Sequence, residues 1–280
     1  MDEQDDLVLR SDLFAKRLRH PPSHWDDEGD EDPNHSTYRS ADHGPSPVPD
    51  WVITEDAARQ VDVGPLKSGK EADVVLVERT LGQRRNLLAA KRYRGFDQRQ
   101  FKNDARYRLG RRTGERRLDL AVAKGSSHGI RFRQALWVER EFEVLGRLWS
   151  AGVAVPYPVQ KLGSELMLEF LGDDAAAAPR LAEGRRGRDE LTELCWPLAD
   201  DLRAMVRLQV VHADLSPYNL LVWRGRLHMI DFPQAVDPQM PDGMALLHRD
   251  VVNVFGWFAR RGVPCDPESL FGDLVAEAFA

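Results

Sequence analysis

The sequence has few cysteines and lacks any long apolar segment. Among its 280 residues only Cys195 and Cys265 are cysteines, which excludes a disulfide framework and a cysteine-based zinc site. No run of about 18 apolar residues occurs, so no transmembrane helix is predicted. The acidic start MDEQDDLVLR lacks the basic and apolar regions of a secretory signal. We therefore expect a cytoplasmic protein with no membrane partner.

The net charge of −6 conceals a strong segregation of charge along the chain. Residues 1–50 contain 13 acidic and 5 basic residues, and they have too few apolar side chains to offset the entropy of folding. This segment is predicted to be a mostly disordered acidic tail. Residues 79–133 contain 17 basic and 4 acidic residues, which indicates an anionic partner such as nucleic acid or an acidic protein segment.

Residues 51–280 are predicted to form a small β-rich lobe, about 51–168, followed by a helical lobe, about 172–280. Valine-rich and apolar runs with a turn at Gly82 predict a β-hairpin, and a second hairpin is predicted around Arg224 and Gly225. The strands of the first hairpin are predicted at 73–78 and 87–93, and those of the second hairpin at 220–223 and 227–230. A further strand is predicted at 165–171. Helical spacing of apolar residues predicts helices over 135–149, 190–208, 244–261 and 267–279.

The strongest motif is His212-Ala-Asp214-Leu-Ser-Pro-Tyr-Asn219, followed after the second hairpin by Ile230-Asp231. Phosphoryl transfer in a kinase-like site needs a carboxylate beside the attacking hydroxyl. It also needs an Asn five residues later and an Asp beyond a hairpin to hold Mg²⁺. Asp214, Asn219 and Asp231 have this spacing. The alternative is a turn in which Asp214 and Asn219 cap backbone groups.

Two other motifs resemble catalytic ones without their context. His248-Arg249-Asp250 has the letters of a kinase catalytic loop, but Phe255 stands where the Asn is needed, so Asp250 is interpreted as structural. The stretch 64–70 fits a Walker loop, but Glu71 stands where Ser or Thr must bind Mg²⁺.

The stretch 67–72 favours a different role, as a turn of small residues whose amides lie over ATP phosphates. Ser68 and Lys70 would add donors to these phosphates, and Lys91, late in the following strand, would contact them as the kinase lysine does. The alternative for 67–72 is an ordinary hairpin turn, and the alternative for Lys91 is a lysine on the surface of a strand.

Lys91 needs a carboxylate partner, and Glu139 and Glu141 in WVEREFEVL are the candidates. Glu141 is preferred because a Leu follows it four residues later. Backbone groups near Glu169 and Leu171 are expected to bind the adenine edge, at the connection between the two lobes.

These motifs together resemble the RIO family of atypical protein kinases, and in particular its first subgroup. The resemblance covers about 62–261 and is carried by KSGKEADVV, AAKRYR, FKNDARY, WVEREFEVL, LMLEFLG, VVHADLSPYNLL and MIDFPQAV. The departures from the family pattern are Asp73, Pro217 and Phe232-Pro233, none of which removes a group needed for chemistry. High arginine and alanine usage is typical of a bacterial source.

The resemblance implies an α+β, bilobal protein-kinase-like fold, trimmed so that it lacks an activation loop and an APE segment. It implies binding of ATP and Mg²⁺, with Mn²⁺ as the alternative metal, and phosphorylation of serine or threonine or autophosphorylation. By position, Lys91 would bind phosphate, Asp214 would be the catalytic base, and Asn219 and Asp231 would hold the metal. Asp231 is also implied as a transient aspartyl-phosphate acceptor, which would make the protein an ATPase switch.

Two other functions remain open from the sequence. The first is a small-molecule phosphotransferase of the aminoglycoside or choline kinase type, which shares the spacing of Asp214 and Asn219. The second is an RNA-binding assembly factor that uses ATP as a conformational switch. Its basic segment, 79–133, would contact ribosomal RNA or a ribosomal subunit, since relatives in the family act in small-subunit ribosome maturation.

Overall fold

The computed structural model describes residues 34–69, 72–93, 127–173 and 176–280, with the side chains of the first long helix described from Trp137 onward. The strands are β1 (Asp42–His43), β2 (Arg59–Ser68), β3 (Ala72–Leu81), β4 (Arg84–Tyr93), β5 (Pro158–Leu162), β6 (Glu165–Glu169), β7 (Leu220–Trp223) and β8 (Arg226–Met229). The α-helices are α1 (Ser127–Ser150), α2 (Arg188–Arg207), α3 (Gly243–Ala259) and α4 (Pro267–Ala278).

Six antiparallel strands form one sheet in the order β1-β5-β6-β4-β3-β2, and β7 and β8 form a separate hairpin. The first predicted hairpin is β3–β4, where Gly82 takes a φ of 59° that few other residues adopt easily. The second is β7–β8, with Arg224 and Gly225 both at positive φ in its turn. Both hairpins that the sequence predicts are therefore present in the fold.

Residues 34–58 cover the outer face of the large sheet. Tyr38 and Val52 pack there against Leu88 of β4 and Tyr157, and His43 of β1 pairs with Gln160 of β5. This differs from the prediction of a disordered tail as far as residue 50. Tyr38 supplies buried apolar area that the average composition of the segment conceals. Residues 1–33 lie outside the described residues.

The inner face of the sheet contacts α1 and continues into the helical lobe as one core. Leu145 and Leu148 of α1 are buried there, together with Leu198 of α2 and Phe255 of α3. Only residues 230–242 connect β8 to α3, which leaves no room for a long activation loop. The predicted trimmed, bilobal α+β fold is confirmed.

Three strands, β1, β2 and β5, were not predicted from the sequence, and α1 begins at Ser127 rather than at residue 135. β2 was not predicted because its side chains are mostly exposed and Pro65 interrupts it, which an edge strand tolerates. β5 is short and begins at Pro158. Pro197 lies inside α2, which begins at Arg188 and continues through the proline.

Among the described residues, none of the helices combines the length and apolar character that crossing a membrane requires.

Candidate active site

A buried cluster of charge joins the two lobes around Lys91. The Nζ atom of Lys91 lies 2.8 and 2.9 Å from the two carboxylate oxygens of Glu141, and 2.7 Å from Oδ1 of Asp231. Lys91 is 8% exposed and Glu141 is 1% exposed. The structure therefore brings together three residues that the sequence analysis selected from widely separated segments.

Register and helical spacing explain why these side chains meet. Lys91 pairs with Leu166 of β6, so it lies in the middle of the sheet beside α1. Glu141 shares the buried side of α1 with Leu145, one helical turn later. Glu139 instead forms an ion pair with Lys161 of β5. Of the two predicted partners of Lys91, the structure selects Glu141.

Two further groups bond to Glu141. The Tyr93 hydroxyl donates to Oε2, and the Phe232 backbone N–H donates to Oε1 at 3.1 Å. The Tyr93 ring also lies 5.1 Å from Nζ of Lys91. The sequence analysis missed Tyr93, although its position two residues after Lys91 on the same strand predicts that both face the same way. The Glu141 carboxylate is thus fully enclosed by donors.

Burial and charge act in opposite directions on this cluster. Burial lowers the pKa of Lys91, but the charges of Glu141 and Asp231 outweigh it and hold this pKa well above its usual value. For Asp231, burial raises the pKa, and the Lys91 charge and hydrogen bond more than reverse this and leave it below its usual value. Both groups are therefore charged at neutral pH.

The segment 212–219 forms the predicted catalytic loop, with the Asp214 side chain exposed. Its backbone passes through Ala213 in a left-handed conformation, with a φ of 64°. Nε2 of the buried His212 lies 3.1 Å from the carbonyl of Ile230, and burial lowers the pKa of this imidazole. The loop is thus tied to the residue that precedes Asp231.

Asp250 of α3 anchors the same loop from below. Its two carboxylate oxygens accept from the backbone N–H groups of Ala213, at 2.6 Å, and Leu215, at 3.0 Å. Burial raises its pKa to about 7, against the opposing effect of these two hydrogen bonds. Arg249 donates to the carbonyl of Ala213. Asp250 is therefore structural, as predicted, and its bonds are to the main chain of the predicted catalytic loop.

Asn219 and Asp231 offer oxygen atoms to a cation. The Asn219 amide nitrogen donates to the carbonyl of Asp214 at 2.9 Å, which leaves Oδ1 as the atom for a metal. A carboxylate and an amide oxygen are ligands that Mg²⁺ accepts, and this ion commonly takes its other ligands from phosphate and water. The described residues contain no group of three or more His, Cys, Asp or Glu side chains that could hold a metal by themselves. The residues present fit a divalent cation that binds together with a phosphate.

The predicted phosphate-contacting turn is only partly described. The Ser68 hydroxyl donates to Oδ1 of Asp73 at 2.7 Å, while Lys70 lies outside the described residues. Lys67, which the sequence analysis did not select, contributes to lowering the pKa of Asp231. A cation at position 67 thus acts electrostatically on the site from the end of β2. The signal that could have identified it is the pair of lysines flanking Ser-Gly.

The connection between the lobes begins at the end of β6. The Glu169 N–H donates to the carbonyl of Tyr157 at 2.8 Å, and its carboxylate accepts from the Tyr157 N–H at 3.1 Å. The carbonyl of Leu171 accepts from Ala178 at 2.8 Å. The prediction that this segment binds an adenine edge therefore depends on the Glu169 carbonyl and the Leu171 N–H.

Comparison with known proteins gives a family match over this same region. The family model described as "RIO domain" matches residues 76–270, which is more than half of the chain. "Serine/threonine-protein kinase RIO1" of Caenorhabditis elegans is 34% identical over 202 residues, covering 72% of this chain and 38% of that protein. "RIO-type serine/threonine-protein kinase Rio1" of Haloferax volcanii is 34% identical over 222 residues, covering 79% of this chain and 71% of that protein.

The matched length differs among these relatives. "Serine/threonine-protein kinase RIO1" of Saccharomyces cerevisiae is 32% identical over 154 residues, covering 54% of this chain and 32% of that protein. The chain thus spans about a third of the length of the eukaryotic relatives and about 70% of the archaeal one. The family match includes Lys91, Glu141, Asp214, Asn219 and Asp231. The chain belongs to the RIO domain family.

Proposed function

We propose that this protein is a RIO-type kinase that transfers the γ-phosphoryl group of ATP, with Mg²⁺ or Mn²⁺, to a serine or threonine hydroxyl. The observation that carries the proposal is the Lys91 ammonium group bonded to both Glu141 and Asp231. The relatives, whose names describe serine/threonine-protein kinases, support the same reaction class.

The reaction needs a base, a cation for the phosphates and fixed positions for both. The substrate hydroxyl oxygen attacks the γ-phosphorus, the bond from that phosphorus to the bridging oxygen breaks, and ADP leaves. The exposed Asp214 carboxylate accepts the hydroxyl proton. Lys91, held by Glu141, offsets phosphate charge, and Asn219 and Asp231 would hold the divalent cation. When bound, that cation neutralises charge on the phosphate oxygens.

The same site contains an alternative acceptor of the phosphoryl group, the carboxylate of Asp231. If the Asp231 carboxylate takes the phosphoryl group, the product is an acyl phosphate, which water then hydrolyses, and the protein acts as an ATPase switch. A link to ribosome maturation, with ribosomal RNA or a ribosomal subunit as partner through the basic segment 79–133, remains a proposal. Residues 94–126 of that segment lie outside the described residues.

The decisive test is transfer of labelled γ-phosphate by wild type and Asp214→Ala, with Asp189→Ala as the matched control. Asp189 is an Asp of the same lobe whose side chain is 93% exposed. Removing a general base costs about 10²- to 10⁴-fold, so Asp214→Ala is expected to lose that much activity with unchanged nucleotide binding. Equal rates in all three proteins would overturn the assignment.

The chemical stability of the phosphorylated product separates the two acceptors. A phosphoserine or phosphothreonine survives both acid and hydroxylamine, whereas hydroxylamine cleaves an acyl phosphate on Asp231, leaving a hydroxamate and releasing phosphate. We expect acid-stable label on an added or internal hydroxyl. Label that hydroxylamine removes, and that Asp231→Asn lacks, would instead assign the ATPase switch.

A further inference from the structure

The peptide group between Ala213 and Asp214 is held at both of its polar atoms. Nη2 of Arg249 donates to the carbonyl oxygen of Ala213, and the N–H of Asp214 donates to Nδ1 of His212 at 3.3 Å. A peptide group is planar, so contacts at its two ends fix its orientation. The plane that leads into the predicted catalytic base is thus set by one side chain of α3 and one of the loop.

The peptide group that follows Asp214 is held in the same way. Its carbonyl oxygen accepts from Nδ2 of Asn219 at 2.9 Å, and its N–H, that of Leu215, donates to Oδ1 of Asp250 at 3.0 Å. The direction of the Cα–Cβ bond of Asp214 depends on the φ and ψ angles that relate these two planes. Because both planes are held, this bond has a defined direction although the residue is exposed.

Ala213 needs support because its backbone conformation is unfavourable. Its φ of 64° lies in the left-handed region, which residues with a Cβ atom rarely adopt. Such a conformation persists only where surrounding contacts hold it. Asp250 accepts from the N–H of Ala213 at 2.6 Å, and Arg249 donates to its carbonyl. Two consecutive side chains of α3 therefore hold both polar groups of this residue.

The guanidinium group of Arg249 lies between the loop and a buried carboxyl group. Its Nη2 is 3.7 Å from Oδ1 of Asp250, whose side chain is 3% exposed, whereas 44% of the Arg249 side chain is exposed. A guanidinium group carries five N–H donors in a rigid plane, so it can interact with a carbonyl and a carboxyl group at once. Since Arg249 is not a core residue, it can be replaced without opening a cavity.

We propose that Arg249 is a positioning residue for phosphoryl transfer, which acts by holding the peptide group that precedes Asp214. This role rests on the proposed function, in which the Asp214 carboxylate accepts the proton of the substrate hydroxyl. Without Arg249 the peptide group can rotate, and the carboxylate then reaches the hydroxyl in the productive geometry less often. ATP is not held by this contact, so the effect falls on kcat and not on KM for ATP.

The test measures transfer of labelled γ-phosphate from MgATP to dephosphorylated casein and to the chain itself. Arg249→Met is expected to lower the rate at saturating MgATP by about tenfold or more, with KM for ATP changed by less than about twofold. Arg249→Lys keeps one donor for the carbonyl and is expected to recover part of the lost rate. A role in the fold alone would not produce this split between kcat and KM.

The matched control is Arg226→Met. The Arg226 side chain is 43% exposed and lies 2.6 Å from the carboxylate of Asp201, whose side chain is 5% exposed. It therefore shares the exposure of Arg249 and its pairing with a buried carboxyl group, without a bond to the predicted catalytic loop. We expect this variant to transfer phosphate at the wild-type rate.

A double variant tests whether Arg249 acts through Asp214. If it does, adding Arg249→Met to Asp214→Ala should lower the residual rate no further, whereas independent effects would multiply. A wild-type rate in Arg249→Met beside an inactive Asp214→Ala would overturn the positioning role and leave the proposed function intact. An equal loss in Arg226→Met, a further loss in the double variant, or loss of MgATP binding by Arg249→Met would also overturn it. Wild-type activity of Asp214→Ala would overturn the proposed function, and the positioning role with it.

Discussion

Among the residues that the structure describes, each face of the large sheet buries one cation, and the two cations are stabilised in opposite ways. Arg79 of β3, 0% exposed on the outer face, donates to neutral oxygens of Ile53, Gln60 and Gln160. Lys91 of β4, on the inner face, is paired with two carboxylates. Arg79, whose acceptors are neutral, therefore stabilises the fold. Lys91, which lies between two carboxylates, can exchange these partners for incoming phosphates and metal.

The pKa values express the same contrast. Burial lowers the pKa of Arg79 to about 10, because no carboxylate lies close enough to compensate fully. The pKa of Lys91 is held well above its usual value, since Glu141 and Asp231 outweigh burial. Both cations remain charged at neutral pH, but the charge of Lys91 is balanced by groups that also serve the site.

The largest expected effect is on stability, from Arg79→Met. This change leaves the acceptors of Ile53, Gln60 and Gln160 buried without a donor, which should cost about 3 to 5 kcal/mol of unfolding free energy. The matched control is Arg84→Met, at the exposed Arg84–Glu55 pair on β4, with an expected loss below about 1 kcal/mol. Urea unfolding measures both. Equal urea midpoints for the two variants would show that Arg79 stabilises the fold no more than an exposed ion pair does.

The next effect is on activity, from Lys91→Met. Loss of the ammonium group should lower kcat/KM for phosphoryl transfer by about 100-fold or more, since charge on the phosphates is no longer offset. Lys161→Met is the matched control, because Lys161 has the same 11% side-chain exposure and pairs with Glu139 on the same helix. Comparable losses in both variants would show that Lys91 acts only through the fold.

A third prediction extends the comparison to a buried carboxyl group, that of Asp250. Asp250→Asn removes an acceptor from the backbone of Ala213 or Leu215, which should cost about 1 to 3 kcal/mol. The raised pKa of Asp250, about 7, means that its folded form retains a proton that the unfolded form loses near pH 4. Its contribution to stability is therefore complete below pH 4 and lost as the pH rises to about 7.

The measurable consequence is a gap that depends on pH. The difference in unfolding free energy between wild type and Asp250→Asn should narrow as the pH is raised from about 4 to 7. The matched control for the loss of one carboxylate is Asp189→Asn, at a 93%-exposed side chain. A gap that widens over this range would contradict the sign of the pKa shift.

The smallest effect compares two tyrosine hydroxyls, one on each face of the sheet. Tyr93→Phe removes a donor to Glu141, and Tyr157→Phe removes a donor to the carbonyl of Pro45 at 2.9 Å. Each should cost about 1 kcal/mol of stability. Only Tyr93→Phe is expected to lower activity, by a few-fold, because Glu141 then holds Lys91 less firmly. Steady-state kinetics on both variants checks this.

The sequence predicted the parts of the fold that rest on strong local signals. The valines and Gly82 of β3–β4 and the turn at Gly225 each produce a hairpin for reasons contained in a few residues. β2 escaped prediction because an edge strand buries little, and Pro65 within it argues locally against a strand. The packing of residues 34–50 depends on Tyr38 meeting the outer face of the sheet, which no local pattern contains.

The candidate site likewise contains residues that the sequence identified and others that only the fold defines. Asp214, Asn219 and Asp231 were selected by their spacing, and Lys91 by its place late in a predicted strand. Glu141 was preferred over Glu139 because a Leu follows it four residues later, and in the fold Glu141 contacts Lys91 while Glu139 pairs with Lys161. The effect of the Lys67 charge on the pKa of Asp231 was not predicted, because the distance between these two side chains is defined only by the fold.

The contacts of Lys91 and Glu141 also have a mechanical meaning. Lys91 bonds to Asp231, and Glu141 accepts from the next residue, Phe232, so two neighbouring contacts couple β4 and α1 to the segment after β8. A displacement of α1 along its axis would therefore separate Glu141 from Lys91 and Phe232, or move the segment that carries Asp231 together with the helix.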